Sequence, residues 1–121
     1  MMISPTKGVY MAQIENVNVD QALELLSNGA LLLDVREDVE WEQGRAPEAI
    51  HISLAEVPDH LDDLDKERKI VCVCRSGGRS ARAGQFLLEQ GFDVVNLDGG
   101  MTAWADEEKP LIGDHGEASI G

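Results

Sequence analysis

The chain has 121 residues and a formal net charge of −13 at pH 7, with a sequence pI near 4.4. That length fits one domain able to bury its own core without disulfide or metal staples. The acidic balance argues against nucleic acid and anionic membrane surfaces as partners, because both would repel it.

The only two cysteines, Cys72 and Cys74, stand two residues apart. This is not the pattern of a secreted disulfide framework, and it points to a reducing, cytoplasmic setting. No segment approaches the roughly 18 apolar residues of a membrane span, and no basic start followed by an apolar stretch marks a signal peptide.

Residues 1–13 mix Ser, Pro, Lys and Gly without a period and read as an irregular leader. A short extended piece is expected over 14–18, then a helix over 19–28 carrying Ala22, Leu25 and Leu26 at helical spacing and capped by Gly29. The run Leu31-Leu32-Leu33-Asp34-Val35 suits a strand buried on both faces, as in a parallel sheet. A brief helix follows over 37–43, and Pro47 forces an extended link into a short strand over 49–52. With Ser53 as N-cap, the stretch 54–64 is expected as a helix with Leu54, Val57, Leu61 and Leu64 on one face and a solvated acidic face opposite. A strand over 69–73, a helix over 80–90, a strand over 92–97 and a short helix around 101–105 complete the domain, which spans 14–109. Residues 110–121 turn to Gly, Asp, Ser and Glu and read as a flexible acidic tail. Strands alternating with helices predict a three-layer α/β domain around a central, mainly parallel sheet.

The most informative segment is Cys74-Arg75-Ser76-Gly77-Gly78-Arg79-Ser80, which leaves the apolar run Ile70-Val71-Cys72-Val73 and enters a helical pattern. A strand that re-enters as a helix through a Gly-rich turn leaves backbone N–H groups unpaired at the turn, with the positive end of the helix dipole behind them. A cysteine placed there is expected to be acidified by those amides and by Arg75 and Arg79, and the thiolate is the nucleophilic form. Arg79 is expected to brace the loop through a carboxylate, and Arg75 to meet an anion, unless either is simple solvated charge.

In a parallel sheet the strand carboxyl ends share one edge, where ligands bind. Asp34-Val35-Arg36-Glu37, the Cys74 loop and Asn96-Leu97-Asp98-Gly99-Gly100 should therefore meet on one side. Asp34 or Glu37 is available to bond Arg79 or Arg36 as a structural clamp. A general base is hardly needed where the cradle already ionises Cys74. Cys72 reads as a core cysteine and not as a resolving thiol, since a disulfide between such close strand neighbours is strained. Metal binding is disfavoured, because His51, His60 and His115 are scattered. Trp41 and Trp104 read as packing residues.

Taken together, these stretches resemble a single-domain rhodanese, of the sulfurtransferase family. The resemblance spans roughly residues 17–109. It rests on Leu32-Leu33-Asp34-Val35-Arg36-Glu37, on Glu40-Trp41 through Gly44-Arg45-Ala46-Pro47-Glu48-Ala49-Ile50, on the loop from Cys74, and on Leu97-Asp98-Gly99-Gly100-Met101 through Trp104. It departs from the family at Gly44 to Ala49, where Gly-His-Ile-Pro-Gly-Ala is common. The resemblance implies a five-stranded sheet, a persulfide carried on Cys74 and loop amides from Arg75 to Ser80 wrapped around the transferred sulfur, with Asp34 and Arg36 in support. It also implies a small sulfur donor such as thiosulfate and a cyanide, thiol or protein acceptor; no cofactor is required.

Two other readings use the same residues. A cysteine phosphatase or arsenate reductase also holds a thiolate in an amide cradle closed by arginine, but usually with five residues between Cys and Arg. Here four separate Cys74 from Arg79, a smaller ring better suited to one sulfur atom. The other is a sulfur carrier or regulatory binding module that serves a protein partner.

Overall fold

A computed structural model describes residues 12–121. All but the last two residues of the expected leader lie outside that range. Five strands, β1 (Glu15–Val17), β2 (Leu31–Asp34), β3 (Ile50–His51), β4 (Ile70–Val73) and β5 (Val94–Leu97), form one all-parallel sheet in the order β1-β5-β4-β2-β3. Helices α1 (Val19–Ser27), α2 (Asp38–Gln43), α3 (Gly78–Glu89) and α4 (Gly100–Asp106) connect or follow them. Local sequence explains the boundaries. Asn18 Oδ1 accepts the Gln21 N–H at 2.8 Å while Gln21 Oε1 accepts the Asn18 N–H at 2.9 Å, a reciprocal cap that starts α1. Gly29, at φ +102°, takes the chain out of that helix.

The central strands are buried throughout, and their alternation splits the core between the two faces of the sheet. Leu31, Leu33, Ile70, Cys72, Cys74 and Val94 pack with Leu87 of α3. Leu32, Val71, Val73, Val95 and Leu97 pack on the other face with Val19, Ala22, Met101 and Trp104. This is the expected three-layer α/β arrangement.

One expectation is corrected. The stretch Leu54–Asp63 is a 3₁₀ segment broken at His60 (φ −121°), not a regular helix. Pro58 lies inside it and offers no N–H, and the Ser53 side chain makes no cap. Residues 110–121, the stretch read as a tail, lie against the domain. Arg45 and Ile112 exchange backbone hydrogen bonds at 2.8 and 2.9 Å, and the N–H groups of Asp114 and Ser119 donate to the Glu42 and Gln43 carbonyls. Leu111 and Ile120 pack against the α1/α4 core, so the polar composition concealed two apolar anchors. A Cβ at Gly44 would run into the Ser119 backbone, so this close approach depends on glycine.

No helix among the described residues is long and apolar enough to cross a membrane.

Candidate active site

β4 stops at Val73 and α3 begins at Gly78, so the chain reverses within Cys74–Gly77 at the carboxyl edge of the sheet. Gly77 makes the turn possible, because its φ of +118° lies in the left-handed region. The turn aims the Gly77 N–H at Cys74 Sγ, 3.1 Å away, and the first turn of α3 brings the Ser80 hydroxyl to 3.3 Å from the same sulfur. Burial raises the thiol pKa of Cys74. Hydrogen bonds from the Ser80 hydroxyl and from the N–H groups of Ser80, Gly77 and Ser76 outweigh it and hold the thiol below its ordinary value. The Cys74 residue is 1% exposed, whereas Arg75, Ser76 and Gly78 are exposed around it. A Cβ at Gly78 would meet nothing within 4 Å among the described residues, which leave the rim open on that side.

The outside of the loop is held by α4. Its unpaired N-terminal donors reach across, Met101 N–H to the Cys74 carbonyl at 2.8 Å and Thr102 N–H to the Arg75 carbonyl at 3.0 Å. Gly100 permits this contact, since a Cβ there would collide with both carbonyls and its φ is +59°. The Gly99-Gly100 turn thus arrives beside Cys74 as expected.

Arg79 points into a carboxylate, also as expected, but the partner is Glu40 and neither Asp34 nor Glu37. Nη1 lies 2.7 Å from Oε1 and Nη2 lies 3.0 Å from Oε2. Glu40 Oε1 also accepts the Glu37 N–H at 2.9 Å. The hydrogen bonds from Arg79, assisted by that N–H and opposed by burial, lower the Glu40 pKa to about 2.

Asp34 takes the other guanidinium. Arg36 Nε and Nη2 donate to its carboxylate at 2.9 and 2.7 Å, and Nη2 donates to the Gly44 carbonyl at 2.7 Å. With Asp34 fully buried and Arg36 at 1% exposure, this is a satisfied internal brace that fixes the segment after α2. Arg75 is engaged by the tail, donating from Nη2 to the Gly121 carbonyl at 3.0 Å. Cys72 lies fully buried beneath the loop, and burial together with the neighbouring Cys74 pushes its thiol up to about 12. It is the core cysteine expected. His51 stacks on Trp41 at 4.8 Å, and Arg45 covers the Trp41 ring at 4.7 Å, so Trp41 is a packing residue.

Sequence reasoning assigned no role to Glu40 or Asn96. Asn96 Oδ1 faces the Ser80 hydroxyl at 2.5 Å, although the residue sits in the buried strand run Val94-Val95-Asn96-Leu97. A lone amide in such a run was the available signal.

Comparison with known proteins places the fold in a family. The rhodanese-like domain model matches residues 18–107. The chain is 48% identical over 79 residues to the "Putative sulfurtransferase YtwF" of Bacillus subtilis, covering 65% of this chain and 77% of that one. It is 38% identical over 87 residues to a sulfurtransferase of Allochromatium vinosum, covering 71% of this chain and 81% of that one. The crystal structure of a rhodanese-related protein from Thermoplasma volcanium superposes with a TM-score of 0.76 at 30% identity, over 81% of this chain and 97% of that one. A model matching well over half of the chain, on a sheet and cysteine loop of this form, makes the chain a member of the rhodanese-like domain family.

Proposed function

We propose that the protein is a sulfurtransferase that works through a persulfide on Cys74. The Cys74 thiolate attacks the outer sulfane sulfur of a donor such as thiosulfate. The sulfur–sulfur bond of the donor breaks, sulfite leaves with the bonding pair, and Cys74 holds the transferred sulfur as a persulfide. Cyanide or a thiol then attacks that outer sulfur, and the thiolate is restored. Atoms and charge balance in each half, and ping-pong kinetics follow. The backbone N–H groups of Ser76, Gly77 and Ser80 act as preorganised dipoles for the sulfur anion.

The observation that carries this reading is the pairing of a recessed sulfur, on a residue 1% exposed and ringed by donors, with an Arg79 committed to Glu40. A phosphatase needs its loop arginine free to clamp a tetrahedral phosphate. A single sulfur atom asks only for the amides. The nucleophile has to stay reduced, which suits the cytoplasmic setting suggested by the cysteine usage. A protein acceptor is compatible with the exposed rim at Arg75, Ser76 and Gly78.

Incubation with thiosulfate followed by intact-mass measurement tests the reading. The expected product gains one sulfur, loses it on addition of cyanide, and is absent in Cys74→Ala. Failure to load sulfur from thiosulfate, mercaptopyruvate or a cysteine-derived persulfide would overturn it.

A further inference from the structure

Asn96 is a polar side chain, 3% exposed, inside the central sheet. Strand alternation turns it, like Val94, toward α3, with Cys72 as its register partner on β4. Its Nδ2 donates to Asn16 Oδ1 at 2.9 Å and to the Gly77 carbonyl at 3.3 Å, while its Oδ1 faces Ser80 Oγ at 2.5 Å. The partners determine the amide orientation. The Gly77 carbonyl only accepts, so the NH₂ group must face it, and Oδ1, which also only accepts, is left to the Ser80 hydroxyl.

Ser80 has a single hydroxyl proton and three acceptors in reach: Asn96 Oδ1 at 2.5 Å, and Cys74 Sγ and the Gly77 carbonyl at 3.3 Å each. Gly77 is already served by Asn96. The contest is therefore between Asn96 and the sulfur. When Cys74 is a neutral thiol, the hydroxyl proton rests on Asn96, the S–H faces the Ser80 oxygen, and every group is satisfied. When Cys74 is a thiolate, the sulfur draws the hydroxyl proton, and Asn96 Oδ1 loses its donor at a buried position.

We propose that Asn96 is a positioning residue that acts through Ser80: it holds the hydroxyl proton while the thiol is neutral, yields it to the charged sulfur, and so sets how readily Cys74 ionises. The hydroxyl rotates about its Cβ–Oγ bond, the thiol proton leaves to solvent, and no other bond changes. The other titratable or charged groups around the loop are Cys72 beneath it, Arg75 on its rim, Arg79 with Glu40 and Glu37, and the Asp34–Arg36 pair of the neighbouring strand. All are common to the variants below.

This inference rests on Cys74 being the nucleophile, and its test reads the thiol without any sulfur transfer. The rate of Cys74 alkylation by iodoacetamide is followed against pH, with far-UV circular dichroism and thermal melting to confirm folding. Asn96→Leu removes the Oδ1 acceptor at similar volume and leaves the Ser80 proton to the sulfur and the Gly77 carbonyl, both at 3.3 Å, of which a charged sulfur is the stronger acceptor. Its midpoint is expected to fall, and alkylation below the midpoint to rise about fivefold, the worth of one hydrogen bond. Asn96→Asp, a stronger acceptor, is expected to raise the midpoint. In a Ser80→Ala background the Asn96→Leu shift is expected to vanish. An unmoved midpoint in folded Asn96→Leu, or an equal shift without Ser80, overturns the proposal. Should Asn96→Leu not fold, Asn96→Asp decides: an upward shift that shrinks in Ser80→Ala supports the relay, and one that persists in full overturns it. Loss of sulfur loading alongside intact alkylation shifts would sink the sulfur-transfer reading and leave this inference standing.

Discussion

Arg79 and Glu40 meet as a two-point ion pair, at 2.7 and 3.0 Å, that ties the first turn of α3 to α2. The pair commits the loop arginine to a carboxylate and makes it a strut. Glu40→Gln keeps the shape but removes the charge, and it is expected to cost about 1 kcal/mol of stability, measured by urea unfolding, since the pair is partly exposed. Because the Glu40 pKa is lowered from 4.5 to about 2, its contribution is complete above pH 4.5 and is lost as pH falls toward 2. The stability difference between wild type and Glu40→Gln should therefore narrow over that interval, and a difference constant with pH would refute the ion-pair account.

The two thiols lie two residues apart on the same face of the core, yet their environments push them in opposite directions. Burial and the neighbouring Cys74 raise Cys72 to about 12, whereas the loop amides and Ser80 outweigh burial and lower Cys74. Limited alkylation of the native protein at neutral pH should therefore add one label, mapped by peptide mass to Cys74. After unfolding, both cysteines should react at similar rates.

Gly100 is where the loop and α4 touch. Alanine there meets two strains at once, a left-handed φ of +59° and a Cβ driven into the Cys74 and Arg75 carbonyls. Gly100→Ala is expected to lose about 2 to 4 kcal/mol in chemical denaturation. It should also impair sulfur loading, because the Met101 and Thr102 donors no longer reach the loop. Gly29→Ala serves as the control. It has positive φ but nothing within 4 Å among the described residues, and should cost only about 1 kcal/mol with sulfur loading intact.

What could be read from sequence follows from the range of the forces involved. The apolar runs around Leu32 and Val71 declare buried parallel strands, and a Gly-rich turn after Val73 declares an amide cradle, because both depend on neighbours in the chain. The partner of Arg79 was less legible, since Asp34, Glu37 and Glu40 all stand close in sequence and only the start of α2 at Asp38 turns Glu40 toward it. The 3₁₀ form of Leu54–Asp63 escaped because its apolar spacing also fits a regular helix, while Pro58 acts on the backbone. Asn96 was visible but mute: its meaning lies in a Ser80 hydroxyl that chain folding brings to it from 16 residues away.

The tail carries the last prediction. It lies outside the residues 18–107 matched by the family model, yet it ends its described path on Arg75, the exposed arginine of the cysteine loop. Two effects should separate when the chain is cut after Pro110. Burial of Leu111 and Ile120, the backbone exchange between Ile112 and Arg45 and the 2.9 Å Arg45–Asp114 pair are lost, so melting temperature should fall by several degrees, as for a loss of about 1 to 2 kcal/mol in a domain of this size. Arg75 is released from the Gly121 carbonyl at the same time and becomes free to meet an anionic donor. KM for thiosulfate should then fall severalfold, with kcat for transfer to cyanide little changed, since the cradle around Cys74 keeps its own donors. Arg75→Ala in the full chain should raise KM or leave it unmoved, and in the shortened chain it should abolish the gain. A shortened chain with unaltered KM would show that the tail only stabilises the fold and that the contact with Arg75 has no bearing on donor binding.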